Sequence, residues 1–344
     1  FGDVPYYTEA YFANPLPRTD KSVVLTNCLA DLQSLLDNDP EGKILRWRNG
    51  NGSWRANRGS VLALMMHINM WLAFFDTGNA QTYYSEVVRL AEVDSWIDGT
   101  YYSLQSMEQM SNVFRGNSNE GLFEIVQNIT MGEVFDTNNM WCTKVVYEVR
   151  NKTEADFAYS EAFLTHLYPE ETNDMRKEYW FKNLYREEGT GGSSSIRPVE
   201  IIKLLNADEY KSTTIPNAGN YIVFRLADVI LLYAEALNNL GEREKALQEV
   251  NRIRQRAGAP DFTMEDDLDA SIYWERVREL MGEGQYYYDL VRTMKITDAS
   301  FAVFSDDSGH RETMANLKQG SWTWPIYKGA LDNNPYMSKN IYWE

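Results

Sequence analysis

Residues 220–260 read NYIVFRLADVILLYAEALNNLGEREKALQEVNRIRQRAGAP, a pattern that restricts this part of the chain to a helical hairpin. Phe224, Ala227, Leu231, Ala234 and Leu237 recur three or four residues apart, so they share one helical face. Asn238, Asn239 and Gly241 interrupt the run. Gly241 suits the left-handed position just past a helix end. In the second half, Ala246, Val250, Ile253 and Ala257 line one side, with Arg, Gln and Glu on the other. Gly258 and Pro260 end that helix. Two amphipathic helices joined by a short polar turn make an antiparallel pair. The small residues Ala234 and Ala246, placed to face each other, give it the look of a tetratricopeptide unit. Such a unit cannot bury its faces alone and needs stacked neighbours.

A second hairpin lies far upstream. Residues 58–76 form a long apolar helix and residues 79–92 an amphipathic one. Before them, Thr19 or Asp20 caps a helix with Val24, Cys28, Leu32 and Leu35 on one face. The polar loop 38–57 between these helices carries Trp47 and Trp54. The two helical regions, about 19–93 and 220–293, are expected to share one stack, so the insert at about 99–219 must leave it and return. Residues 121–128 and 144–149 of the insert read as strands. Residues 170–177 are polar and turn-like, and GTGGSSS at 189–195 is a flexible loop. The tail, 294–344, is loop-rich and aromatic. The expectation is one domain over 1–344, mostly α. A tetratricopeptide-like hairpin scaffold would carry a mixed α/β, loop-rich insert and a C-terminal subdomain.

Composition removes several functions. The formal charge of −17 argues against nucleic acid or anionic lipid as a direct partner, since both require a basic surface. Membrane attachment through the chain itself is not expected, because no apolar run reads as a bilayer span. The two cysteines, Cys28 and Cys142, cannot make a disulfide framework, and Cys28, in a helical pattern, reads as a buried thiol. His67, His166 and His310 are not within helical reach of one another. There is no HExxH, CxxC, Walker A or GxSxG motif, so neither a metal nor a cofactor is expected. The acidic run EDDLD at 265–269 lacks calcium-loop spacing and reads as a solvated helix start.

Paired carboxylates raise glycoside hydrolysis. Asp228 and Glu235 share a helical face, and Glu275, Glu279 and Glu283 form a row interleaved with Arg276 and Arg278. A glycosidase needs its acids in an open cleft, whereas these lie in packed helices. Ion pairing with Arg225, Arg252, Arg276 or Arg278 is the reading preferred here.

Aromatic residues are the informative excess: 10 Trp, 22 Tyr and 14 Phe. Flat rings stack on sugar C–H faces while amides and guanidinium groups bond hydroxyls. Helix-borne rings such as Trp71, Phe74 and Tyr233 read as core. Loop-borne rings are the ligand candidates. They are Trp47 and Trp54 beside Arg46, Asn49 and Asn51, Trp141 beside Asn138 and Asn139, and then Tyr159, Tyr179 and Trp180.

Five segments in order resemble the SusD/RagB family of surface nutrient-binding lipoproteins of Bacteroidetes-type bacteria. They are FGDVPYYTEAY (1–11), FRGNSNEGLFEIVQN (114–128), the 224–257 hairpin, WERVRELMGEGQYYYDLVR (274–292) and WPIYKGALDNNPYMSKNIYW (324–343). The arginine that the family carries two residues after Gly284 is Tyr286 here, while Asp289 and Arg292 are kept. The resemblance implies non-catalytic capture of an extracellular nutrient, in the first place an oligosaccharide. It implies delivery to a SusC-like TonB-dependent outer-membrane transporter. It also implies that an export signal, a lipid-bearing cysteine and further helices precede Phe1, with the membrane reached only through that anchor. Peptide capture, as in the RagB branch, stands second and a glycoside hydrolase third. The family's ligand residues lie in variable loops, so none is carried over by motif.

Overall fold

The computed structural model describes residues 2–48, 52–127, 159–185, 199–204, 219–302 and 312–344. Strands β1 (Val4–Pro5) and β2 (Arg18–Thr19) pair antiparallel near the N-terminus. Asp20, rather than Thr19, caps α1 (Lys21–Asp37) by accepting from the Ser22 N–H. This helix packs on one neighbour. Leu36 is buried, Leu29 and Leu32 are partly so, and Leu35 is exposed. Cys28 is half-buried instead of buried, because solvent covers the rest of the helix.

Helix α2 (Arg58–Phe75) begins with a reciprocal cap. Asn57 accepts from the Ser60 N–H and the Ser60 hydroxyl accepts from the Asn57 N–H. Its composition and 18-residue length would suit a membrane span, contrary to the sequence expectation. However, 67% of it is buried inside the protein, which marks a core helix. A turn leads into α3 (Ala80–Glu92), which lies back on α2 through Val87, Leu90 and Ala91.

Gly59, in the first turn of α2, has a specific reason to be glycine. A Cβ there would sit 2.6 Å from the Tyr102 hydroxyl, which itself donates to Asn57 Oδ1 at 2.8 Å. Gly59→Ala should therefore destabilise the fold by about 1–3 kcal/mol, although alanine is the better helix former. Urea denaturation checks this, and a neutral or stabilising change would overturn it.

Helix α4 (Met110–Arg115) leads to β3 (Gly121–Ile125). Then come α5 (Glu161–Leu167), α6 (Arg176–Trp180) and the antiparallel pair β4 (Phe181–Lys182) and β5 (Glu200–Ile201). The stretch 170–177 is thus a turn that runs into a short helix, started by Asp174 accepting from the Arg176 N–H at 3.0 Å. The strand expected at 144–149 and the loop at 189–195 lie outside the described residues.

The 220–260 stretch differs from expectation at its start. Tyr221–Arg225 is a strand, β6, and the helix α7 begins only at Leu226 and runs to Asn239. The run Tyr-Ile-Val-Phe suits a pleated surface, and β3 is there to pair with it antiparallel, Phe123 opposite Phe224 and Ile125 opposite Tyr221. This pairing is how the insert returns to the stack. After a turn in which Gly241 has φ +84°, α8 (Arg243–Arg256) lies against α7, with Ala234 and Ala246 fully buried in one core. Helix α9 (Leu268–Glu279) covers another side of α7, and α3 a third. The two distant hairpins therefore share a single apolar core, running from Leu62 and Leu90 to Leu231, Val250 and Ile272.

A second core joins the insert to α9 and α10 (Tyr286–Arg292). Phe114, Leu164, Trp180, Phe181, Val277 and Val291 meet there. Helices α11 (Met314–Gln319) and α12 (Lys328–Asn333) belong to the tail. The tail is tied to the N-terminal segment by Arg18, which donates to the Asp3 and Ser338 carbonyls at 2.8 and 2.9 Å.

Candidate ligand-binding site

The carboxylates that suggested catalysis are all engaged. Glu279 is fully buried and contacts Arg225 at 2.7 Å, Arg176 at 3.2 Å and also Arg256. Glu275 contacts Arg176 at 2.7 Å and Arg254 at 2.8 Å. Glu283 accepts from Arg225 at 2.7 Å and from Lys203 at 2.5 Å. Glu120, from the segment entering β3, reaches Arg225 at 2.7 Å. In a neighbouring group, Asp228 pairs with Arg276 at 2.9 Å and His67 at 2.7 Å. Glu235 pairs with Arg292 at 2.5 Å, and Asp289 bridges Arg276 and Arg292.

One of the expected partners is corrected: Arg252 turns away to Glu249 and the Ile97 carbonyl. Arg276 pairs with Asp228 as expected and also with Asp289, though not with the glutamate row. The reason is helical geometry: the residue after Glu275 faces a different side of α9. Arg176, Lys203 and Glu120 come from the insert, and nothing in the local spacing of α9 identifies them. Burial alone would raise the carboxyls, but the surrounding guanidinium groups reverse this. Glu279, under Arg256, Arg225 and Arg176, is held well below the usual range, as is Asp228 under His67 and Arg276. Lys203 goes the other way. Burial outweighs Glu283 and pushes its ammonium down to about 8. Closed, charge-neutralised groups of this kind hold elements together and give no acid free to protonate a substrate.

The open features lie at the loop before α2. Trp54 is 49% exposed, and its ring folds over Gly52, where a Cβ would come within 1.8 Å of it. The loop is fixed to β3. Ser53 donates to the Gly121 carbonyl at 3.1 Å and accepts from the Glu124 N–H at 2.9 Å. Asn57 donates to the Leu122 carbonyl at 2.8 Å. The turn entering β3 carries exposed Asn117 and Asn119, both gripped by Arg48. Its guanidinium donates to Asn119 Oδ1 at 2.6 Å and to Asn117 Oδ1 at 3.0 Å. Asn117 has φ +58° and is held by its N–H donating to Glu124 Oε2 at 2.8 Å. Among the described residues, Glu124 Oε1 and Arg48 Nε are buried without a hydrogen-bond partner. Strain and unsatisfied polar atoms together are features that functional positions tolerate and packing alone does not favour.

The sequence-selected rings are scattered. Trp47 is a loop anchor. It stacks on Tyr101 with centroids 4.4 Å apart and packs against the first core, with the Arg58 guanidinium 5.7 Å from its ring. Trp180 is 1% exposed in the second core, with the Lys203 ammonium 4.3 Å from its ring, so a ligand does not reach it. Its position on the buried face at the end of a short helix overrides its polar sequence surroundings. Tyr159 is half-buried and stacks on Phe163 in the same core, while Tyr179 is exposed. Asn138, Asn139 and Trp141 lie outside the described residues, in the segment that β3 leads into. Sequence reasoning does not single out Arg48, Asn117 or Asn119 as candidates. The signal available was the dense Asn, Gly and Arg content of RWRNGNGSWR and RGNSNE.

The profile of the SusD family matches residues 71–343. The chain belongs to the SusD family. It is similar to a SusD homologue of Bacteroides thetaiotaomicron, at 46% identity and a TM-score of 0.87, covering 100% of this chain and 72% of that one. SusD-like protein P25 of Formosa agariphila is 26% identical over 85% of this chain and 60% of its own length. This chain therefore spans less than two thirds of that curated relative. The fold is also that of surface glycan-binding protein A from Bacteroides uniformis, at 19% identity and a TM-score of 0.67, covering 99% of this chain and 74% of that one.

The SusD-type segments coincide with the charged groups just described. The 274–292 segment supplies Glu275, Glu279 and Glu283, and the 114–128 segment supplies Glu120 and the Asn117–Asn119 turn. Tyr286 packs near Phe163 with centroids 5.7 Å apart. Asp289 and Arg292 still bond each other at 2.7 Å.

Proposed function

We propose that this SusD-family chain belongs to a non-catalytic protein that captures an oligosaccharide outside the cell. A lipid anchor would hold it on the outer membrane, and a SusC-like TonB-dependent transporter would take up the captured ligand. The observation that carries this reading is the half-exposed Trp54 ring, in a loop that the Ser53 and Asn57 bonds fix to β3. A rigid exposed ring offers stacking area at little entropic cost. The absence of catalysis is supported by the scaffold acids, each closed in an ion pair. The family relationship supports the class of function, and the surface glycan-binding protein that shares the fold is consistent with it.

The test is calorimetric titration with a panel of neutral and acidic hexasaccharides, with chromatography of the mixture for products. Binding without product release is expected. Trp54→Ala should weaken the sugar that binds by about thirtyfold, the equivalent of about 2 kcal/mol, with unchanged melting. Product release would establish an enzyme. Unchanged affinity would make Trp54 a loop anchor like Trp47.

A further inference from the structure

The loop that carries Trp54 is a cationic stretch in an acidic protein. The whole chain has a formal charge of −17, yet residues 43–58, KILRWRNGNGSWRANR, contain one lysine, four arginines and no acid. Lys43 is paired with Glu41 at 2.6 Å, which leaves the arginines. In the packed scaffold arginine is compensated: Arg176, Arg225, Arg254, Arg276 and Arg292 each sit on one or more carboxylates. In the loop this pattern stops. Arg46 and Arg55 are exposed and form no salt bridge among the described residues. Arg48 forms no salt bridge among the described residues and spends its guanidinium on the side-chain oxygens of Asn117 and Asn119 and on the Asn117 carbonyl, although the buried Glu124 carboxylate acts on it electrostatically. Arg58 donates to the Asp39 carbonyl at 3.1 Å, and the Asp39 carboxylate itself is occupied by the backbone N–H groups of Lys43, Ile44 and Leu45. The loop is closed at its base, where the Arg58 N–H donates to the Arg46 carbonyl at 3.1 Å, so these cations stay in one small region.

We propose that the sugar chain taken by the Trp54 loop is anionic, bearing carboxylate or sulfate groups that Arg46, Arg48 and Arg55 bind. This rests on the reading of the Trp54 loop as the sugar-binding edge. Trp54 supplies the stacking face. Exposed guanidinium groups supply the forked donors that match a carboxylate or sulfate edge. Arg48 is the oriented member. Its three bonds, to the Asn117 carbonyl and to the Oδ1 atoms of Asn117 and Asn119, fix the plane of the guanidinium and consume both Oδ1 acceptors. Each asparagine then keeps an NH2 group, a donor that suits sugar oxygens and anions. Every group offered is thus a donor or a cation, which fits an acidic glycan better than a neutral one. Concentrating positive charge locally in an acidic protein also overcomes the long-range repulsion that would otherwise keep such a ligand away.

The full chain is titrated with hexagalacturonate, a sulfated chondroitin hexasaccharide, neutral maltohexaose and xylohexaose, and hexaglutamate as a polyanion without sugar rings. Saturable binding of an acidic sugar is expected, weakening as salt rises, with hexaglutamate and the neutral sugars at least about tenfold weaker. Whichever acidic sugar binds distinguishes carboxylate from sulfate. Arg55→Gln and Arg46→Gln, both at exposed positions, should each lower affinity for it severalfold with unchanged melting, and together by about tenfold or more. If a neutral sugar binds as well, with affinity sensitive to Trp54→Ala and not to the arginine changes, the charge inference falls while the sugar-binding edge stands. If an acidic sugar binds and neither the arginine changes nor Trp54→Ala affects it, both fall. Failure of every sugar to bind, or equal binding of hexaglutamate, also overturns the proposal.

Discussion

Glu279→Gln should cost this protein about 3–5 kcal/mol of stability, while leaving the affinity of the folded protein for its ligand unchanged. The side chain is fully buried and contacts Arg176, Arg225 and Arg256. Replacing the carboxylate with an amide leaves three guanidinium groups with one fewer negative charge in a region closed to water. The penalty comes from the stranded cations more than from the lost contact itself. It spreads across the fold, because Arg225 ends β6, Arg176 begins α6 and Arg256 ends α8. Glu265→Gln, at an exposed position, is the control and should stay within about 0.5 kcal/mol of wild type. Urea denaturation monitored by circular dichroism provides the measurement. A loss below about 1 kcal/mol for Glu279→Gln would show that the charged cluster does not hold the insert to the helices.

Acid should unfold the protein through the same groups. Asp228, Glu275, Glu279, Glu283 and Asp289 are buried, and their arginine, lysine or histidine partners hold each carboxyl below its ordinary value. A carboxylate with a depressed folded pKa contributes stability that is present above its unfolded pKa and lost as pH falls through the folded one. The unfolded values are the ordinary 3.8 and 4.5 for aspartate and glutamate. The expected profile is flat from neutral pH down to about pH 5 and falls steeply below about pH 4. Glu279→Gln should flatten that fall, since one of the titrating groups is gone. A melting temperature that declined evenly between pH 7 and pH 5 would exclude this origin.

The helical hairpins were legible because a periodicity of three to four residues encodes a buried face locally. Ala234 and Ala246 sit in the core as their spacing requires, and Gly241 takes the left-handed turn between α7 and α8. The strand at Tyr221–Arg225 was misread as helix. Its apolar residues fit both periods, and only the distant β3 decides between them. The same division holds for the site. Trp47, Trp54 and Trp180 look alike in sequence, each in polar surroundings. One is pinned on Tyr101, one is half-exposed, and one lies inside a core, because exposure depends on which other segment arrives to cover the ring. The Arg48 contacts with Asn117 and Asn119 join residues about seventy positions apart, so no local pattern announces them.

By itself, then, the sequence determined the helical pairs, the turn between α7 and α8, the ionic character of α9 and the family. Each of these depends on residues close together in the chain or on an ordered set of motifs. The tertiary structure alone decided which arginine meets which carboxylate, which tryptophan remains open and where positive charge goes uncompensated. Those outcomes depend on burial and on partners brought together by the β3–β6 pairing. Desolvation acts on a group according to everything around it, wherever in the chain its neighbours come from.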